Sequence, residues 1–290
     1  MKLLSERELQ KNYPRSLTNC IFCGCSPTTK EHVFSHWTHK FLPPRVAGKT
    51  EVIQGIKFID KSDFRMRKLP GELCDWQIKC VCGGASNSCN NGWMRSKVEE
   101  PAIKVLSDLI LGNEVRILPD QQMKIASWAT LKCMIAEYES GGFVTTHQMQ
   151  RKRLMKRQLP PSHGWGIWIG ACPQNTRRLS WQSSAYLVKS SRLLHDINAA
   201  PKYYNGQSST MLIGKLLIQV VRGPIGASFN RWNFQLVDGG QLFKIWPPSS
   251  LSIKWPPKTL SIREVNMTIS SVENTLLNIA KKRIMAKPAS

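Results

Sequence analysis

The stretch Cys80-Val-Cys82-Gly-Gly-Ala-Ser-Asn-Ser-Cys89-Asn-Asn-Gly-Trp-Met94 determines the fold that we expect for the N-terminal part of this chain. A second pair of cysteines, Cys20-Ile-Phe-Cys23, precedes it, and a pair with this spacing directs two thiolates at one tetrahedral ion. Together the two stretches predict a structural Zn²⁺ site formed by Cys20, Cys23, Cys82 and Cys89, with Cys80 as the alternative to Cys82. Because four thiolates leave no open position on the ion, this zinc would hold loops together rather than react. The competing interpretation is a set of small buried thiols that bind no metal.

The composition of the 290 residues limits the class of protein. Apolar residues make up 41% and charged residues 21%, which is typical of a globular chain. Charge appears early, at Ser5-Glu6-Arg7, and the best apolar run, 211–221, is interrupted by Lys215. We therefore expect neither a signal peptide nor a membrane span. The nine cysteines of a chain without an export signal are expected to be free thiols and metal ligands in the cytoplasm.

Positive charge dominates the second half of the chain. The formal net charge is +22, from 41 Lys and Arg against 19 Asp and Glu. Residues 1–145 hold 20 basic and 15 acidic residues, whereas residues 146–290 hold 21 basic and only 4 acidic residues. A surplus of this size is the usual mark of a protein that binds a polyanion, above all a nucleic acid. A charged surface that only improves solubility is the alternative.

The order of patterns along the chain predicts an α+β protein. Helices are expected over 101–111, 119–140 and 145–159, from apolar residues at spacings of three and four and from flanking Pro and Gly. Pro160-Pro161 follows the last of them. Short segments rich in β-forming residues predict strands, at 51–59, 164–171, 184–189, 211–221 and 241–246. The pattern therefore changes from helices to strands at Pro160-Pro161, whereas the division into residues 1–145 and a basic, β-rich segment, residues 146–290, follows the distribution of charge.

A further motif lies between the two cysteine stretches: Thr28-Thr-Lys-Glu31-His32-Val-Phe-Ser-His36-Trp37. Here the sequence resembles the HNH endonuclease family, in the subgroup that combines Cys-x-x-Cys, Lys-Glu-His-Val and Cys-Asn-Asn-Gly-Trp-Met. The resemblance covers about residues 20–97. It implies an N-terminal ββα-metal core with a structural zinc, formed with packed helices by residues 1–145. Residues 146–290 would then be a basic, β-rich domain that grips DNA or regulates the nuclease.

The resemblance also assigns roles to individual residues. His32 would be the general base that takes a proton from the attacking water, as suits an imidazole near neutral pH. Asn90 would hold one divalent ion, with Mg²⁺ as the default for oxygen ligands, and Glu31 would be the second protein ligand. Asn91 is the alternative to Asn90. The middle Asn of the family motif has no clear counterpart in this chain.

The function implied is a metal-dependent HNH endonuclease that nicks DNA. Large basic proteins of this subgroup resemble effectors of anti-phage defence, for instance the HNH component of a Zorya-type system, with other defence proteins as partners. Phosphate contacts are expected from seven bases: Arg151, Lys152, Arg153, Lys156, Arg157, Arg177 and Arg178. The alternatives are a non-catalytic zinc-ribbon protein that binds nucleic acid, and a nuclease or binding protein directed at RNA. His36 and His39, which follow His32 closely, are expected to have surface or packing roles.

Overall fold

The computed structural model describes residues 18–41, 52–57, 62–63, 75–85, 87–138, 144–173, 179–186, 206–223, 236 and 238–268. These residues form helices and antiparallel and mixed sheets, which confirms the α+β class. None of the helices in these ranges has the length and hydropathy needed to cross a membrane.

A two-stranded sheet and a helix form the N-terminal unit. Strand β1 (Thr28–His32) pairs antiparallel with β4 (Gln77–Cys82), and a short 3₁₀ helix (His36–Phe41) follows β1. After β4 the chain enters a helical segment, Asn90–Glu99, which has wide π-type turns and a kink at Gly92. This segment continues without a break into helix α1 (Glu100–Leu111). The order of this unit is thus strand, strand, helix.

The three expected helices are present. Helix α1 has Pro101 in its first turn and ends at Gly112, whose φ of 76° is left-handed. Helix α2 (Pro119–Ala136) ends before residue 140, and α3 (Gln148–Arg157) begins after His147, whose ring accepts a hydrogen bond from the Met149 N–H at 3.2 Å. Periodicity predicts one apolar face on α2, whereas all of residues 125–136 are buried. Helix α2 is therefore the central helix of the molecule.

A seven-stranded sheet combines two strands from the first half of the chain with five from the second half. Its strands are β2 (Val52–Lys57), β3 (Ser62–Asp63), β6 (Trp165–Ala171), β7 (Ser180–Tyr186), β8 (Gly206–Ile213), β9 (Leu216–Arg222) and β10 (Leu242–Trp246). The strand order is β10-β6-β9-β8-β7-β2-β3, and β2 pairs parallel with β7 while the other neighbours are antiparallel. The predicted single strand over 211–221 is wrong, because the chain turns at Gly214-Lys215 and forms the β8–β9 hairpin. A separate short pair joins β5 (Val115–Ile117) to β11 (Ile253–Trp255).

One hydrophobic core extends across the position where the sequence suggests a domain boundary. A single cluster of buried side chains runs from Phe22 and Leu106 to Trp165 and Ile218, and α2 packs against β9 and β10. Strand β2, from the first segment, pairs with β7 of the second. The segments 1–145 and 146–290 therefore share their core instead of forming two separately packed domains, because both faces of α2 need partners.

Candidate functional site

Four cysteines gather at the base of the N-terminal unit. The Sγ atoms of Cys20, Cys23, Cys82 and Cys89 lie within 4.8 Å of one another, and those of Cys23 and Cys82 are 3.5 Å apart. Four sulfurs that bind one zinc ion at about 2.3 Å are about 3.8 Å apart, so this cluster fits a tetrahedral metal site. The predicted cysteine set is confirmed as a cluster within metal-binding distance. Of the two alternatives, Cys82 and not Cys80 belongs to it. Cys80 lies earlier on β4, fully buried, and is not part of the cluster.

Backbone groups around the thiol cluster favour negatively charged sulfur. The N–H groups of Phe22 and Cys25 each donate to a cysteine sulfur two residues earlier at 3.4 Å, and the Cys89 N–H donates to the Cys82 sulfur at 3.2 Å. Gly24 supplies the tight turn, with a φ of +83°. A hydrogen bond from the Cys89 thiol lowers the pKa of Cys20 to about 4, whereas burial raises the pKa of Cys82 to about 11. Four thiolates at one point require a cation, and soft thiolates suit Zn²⁺.

A buried lysine holds the end of β1 in place. Lys132, on α2, is completely buried, and its ammonium contacts the carboxylate of Glu31 at 2.9 Å and that of Glu99 at 2.6 Å. It also donates to the backbone carbonyl of His32 at 2.9 Å. An ammonium group has three N–H donors, and each has an acceptor here. Burial opposes the charge of Lys132, but the two carboxylates raise its pKa above the usual value.

The carboxylates of this cluster have further partners. Ser35 donates to Glu99 at 2.6 Å, and Trp128 Nε1 donates to the Ser35 hydroxyl at 3.1 Å. The Asn90 side chain lies close enough to Glu31 to lower the pKa of its carboxyl, against the effect of burial. Burial, opposed in part by Lys132, raises the pKa of Glu31, whereas at Glu99 the effect of Lys132 and Ser35 exceeds that of burial and lowers the pKa.

His32 is half-buried, and three polar side chains surround its imidazole. Its Nε2 lies 2.7 Å from Gln77 Nε2, on the paired strand β4. Its ring centre is 6.1 Å from that of His36 and 5.9 Å from that of His39. Burial and the neighbouring charges of His39, Lys132 and His36 lower the pKa of His32 below its usual 6.5. A lowered pKa favours the neutral imidazole, which is the form that can accept a proton.

Of the four residues to which the resemblance gives catalytic roles, Asn90 lies close to Glu31. Glu31 and His32 are consecutive residues at the end of β1, and Asn90 is at the start of the helical segment. Asn91 is exposed, and its backbone N–H donates to Ser88. Asn90, not Asn91, is thus the amide beside Glu31. The sequence interpretation missed Lys132 and Glu99. A lysine among the apolar residues of α2 was the signal that could have identified Lys132.

The predicted phosphate contacts divide into three groups. Arg151 is only 4% exposed and forms a 3.0 Å ion pair with Glu137, so its prediction as a phosphate contact is wrong. The reason is that Arg151 shares the buried face of α3 with Leu154. The other four bases of α3 are exposed: Lys152, Arg153, Lys156 and Arg157. Arg177 and Arg178 lie outside the described residues.

Comparison of the chain with protein-family models, curated proteins and solved structures finds no match.

We predict that Cys82→Ser reduces the zinc content of the purified protein, whereas Cys80→Ala leaves it at one ion per chain. Cys82 contributes a sulfur to the cluster and Cys80 does not. Elemental analysis of both variants after dialysis measures the difference. Equal zinc contents in the two variants would show that the cluster is not a metal site.

We predict that Lys132→Met lowers the free energy of unfolding by about 3–5 kcal/mol, because two buried carboxylates lose their common partner. The matched control is Lys124→Met on the same helix, whose partner Asp120 is on the surface, with an expected cost below about 1 kcal/mol. Urea unfolding of both variants measures the two values. Similar costs for the two substitutions would argue against a structural role for the Lys132 ion pairs.

Proposed function

We propose that this protein is an HNH-type endonuclease that hydrolyses phosphodiester bonds of DNA and cuts one strand at a time. The observation that carries the proposal is the position of Asn90 beside Glu31, the residue that precedes His32 at the end of β1. Burial and nearby positive charge lower the pKa of His32, which favours the neutral imidazole that a general base requires. Asn90, Glu31 and His32 are the three residues expected from the resemblance, and they come from two distant stretches of sequence.

The architecture around these groups supports the proposal. The cysteine cluster brings together three parts of the chain: the residues before β1, the end of β4 and the start of the helical segment. Cys89 directly precedes Asn90, so the cluster also fixes the position from which the amide side chain projects. A strand, strand and helix held together in this way are what the resemblance implies for a ββα-metal core.

The proposed chemistry needs a base for the attacking water and positive charge near the departing oxygen. His32 can take the proton of the water, with its ring oriented by the side chain of Gln77. A divalent ion such as Mg²⁺, when bound, neutralises charge on the phosphate and on the leaving oxygen.

Glu31 fits the role of a metal ligand poorly. Its Oε1 already contacts the ammonium of Lys132, and two cations that share one carboxylate repel each other. The proposal therefore keeps His32 as the base and Asn90 as an amide ligand for the ion. Glu31 becomes a positioning residue, because it connects the side chain of Asn90 to Lys132, which in turn holds the backbone of His32.

The basic surface supports DNA as the substrate. Four exposed bases on α3 lie in a chain of net charge +22, and such bases bind phosphates without reading the sequence. The resemblance extends the proposal to phage or other foreign DNA, with further defence proteins as partners.

A second candidate function is that of a non-catalytic nucleic-acid-binding protein with a cysteine-bound zinc. The ion pair between Glu31 and Lys132 favours it, since it gives the acidic residue of the motif a structural partner. In this case His32 would only pack against its neighbours.

We predict that the protein nicks supercoiled plasmid in the presence of Mg²⁺ and that His32→Ala reduces the rate about 10²–10⁴-fold, because the variant lacks the general base. The matched control is His163→Ala, an exposed histidine outside the site, which should retain the wild-type rate. Chelation of divalent ions should abolish cleavage by the wild type.

Nicking by His32→Ala at the wild-type rate would remove His32 as the base. Plasmid binding without cleavage by the wild type would favour the second candidate. Faster cleavage of an RNA of equal length would identify RNA as the substrate.

We also predict that replacing the exposed bases of α3 by Gln weakens DNA binding. The steepness with which log K falls against log salt concentration should decrease by about one for each phosphate that the variant no longer neutralises. The variant combines four substitutions: Lys152→Gln, Arg153→Gln, Lys156→Gln and Arg157→Gln. A control variant removes the same charge at exposed bases on other elements: Lys97→Gln, Lys104→Gln, Arg116→Gln and Lys258→Gln. Fluorescence anisotropy with duplex DNA at several salt concentrations compares the two. Identical slopes would mean that α3 does not bind DNA.

A further inference from the structure

Two arginines and one carboxylate are buried together where the start of helix α3 meets the end of strand β9. Arg151 and Glu137 are each 4% exposed, and Arg222 is 3% exposed. The charges that act on the guanidinium of Arg222 are those of Glu137 and Arg151. The cluster therefore contains one more positive than negative charge. We propose that it binds one small monovalent inorganic anion, of the chloride class, beside Arg222.

The carboxylate of Glu137 is occupied by other partners. Its Oε1 accepts from Arg151 Nη2 at 3.0 Å, and its Oε2 accepts from two N–H groups and one hydroxyl of residues 145–146, at 2.8 to 3.0 Å. Arg222 forms no ion pair within the described part of the chain, and its Nε donates to the neutral Gln150 side chain at 3.2 Å. Arg222 is thus the cation that lacks a partner of opposite charge.

A buried guanidinium without a counterion is costly, because burial removes the water that would stabilise its charge. Burial and the charge of Arg151 lower the pKa of Arg222 to about 10, although Glu137 opposes this effect. Arg222 therefore still carries its proton at pH 7. An anion beside it would balance the charge of the cluster. The surplus is one unit, so a monovalent anion matches it, whereas a divalent phosphate would reverse it.

Hydrogen-bond donors without an acceptor lie in the same region. Within the described residues, four such buried atoms are Arg222 Nη1, Arg151 Nε, Thr146 Oγ1 and Trp165 Nε1. Trp165 is paired directly opposite Arg222 on β6, and Gln207, its partner on β8, contacts the segment that leads into α3. The N–H groups of arginine and tryptophan can only donate, so they require an acceptor. An anion supplies acceptor capacity and charge together, whereas a water molecule leaves the surplus charge in place.

The site is independent of the proposed nuclease chemistry. Its residues belong neither to the cysteine cluster nor to the contacts of Lys132. A bound anion would connect the start of α3 with β6 and β9, and α3 carries the exposed bases on its other face. The ion would therefore stabilise the attachment of this basic helix to the sheet.

The test is the dependence of stability on chloride at constant ionic strength. Urea unfolding of the full-length protein is measured in mixtures of sodium chloride and sodium gluconate, because gluconate is too large for a buried site. If only the folded protein binds chloride, each tenfold rise in chloride above the Kd raises the folding equilibrium constant about tenfold. Arg222→Met removes the surplus charge and keeps much of the side-chain volume, so this dependence should disappear in the variant.

Two further variants make the result specific. Lys152→Met removes an exposed charge from the same helix and should keep the chloride dependence of the wild type. Trp165→Phe removes one donor but keeps the charge and most of the packing, and it should weaken chloride binding about threefold or more. The second variant decides the question if Arg222→Met does not fold.

Equal stability of the wild type in chloride and in gluconate would overturn the proposal. A chloride dependence that persists at the wild-type level in Arg222→Met, or in Trp165→Phe if the first variant does not fold, would place the bound ions elsewhere and would also overturn it. Crystals grown in sodium bromide locate the ion directly. An anomalous bromide signal within hydrogen-bonding distance of Arg222 Nη1 would support the site, whereas a water molecule there would count against it.

Discussion

The ammonium group of Lys132 is the interaction on which the N-terminal unit depends. It is completely buried on the central helix, and its three hydrogen bonds reach the Glu31 carboxylate, the Glu99 carboxylate and the His32 carbonyl. These acceptors belong to β1 and to the helical segment that follows β4, so one cation joins both to α2. A charge in this position is tolerated only because every donor is paired, since an unpaired buried ammonium would cost several kcal/mol. The same contacts fix the backbone from which the His32 imidazole projects.

The cysteine cluster and the Lys132 cluster act at opposite ends of β1. The first lies where the chain approaches the strand at Cys20 and Cys23, and the second where the strand ends at His32. Asn90 lies between them, directly after Cys89 and in contact with Glu31. Two unlike polar clusters thus act on the residues of this unit. For this reason Asn90 and Glu31 lie close together although they are 59 positions apart in the sequence.

Local patterns in the sequence predicted what local geometry determines. The spacing of the cysteines identified the cluster, and periodic apolar residues with Pro101, Gly112 and Pro119 located two helices. Contacts between distant segments were not predictable in this way. The partners of Lys132 lie up to 101 residues away, and only the packed structure shows which face of α3 hides Arg151. The hairpin at Gly214-Lys215 was missed because an apolar run does not reveal where a buried chain reverses.

The parallel pairing of β2 with β7 has a consequence for the integrity of the molecule. Strand β2 lies between β1 and β4 in sequence, yet it forms part of the large sheet, so the chain leaves the small unit and returns to it. Since the chain enters the large sheet between β1 and β4, and the buried core is shared by both parts, we expect the small unit and the sheet to unfold in one cooperative transition.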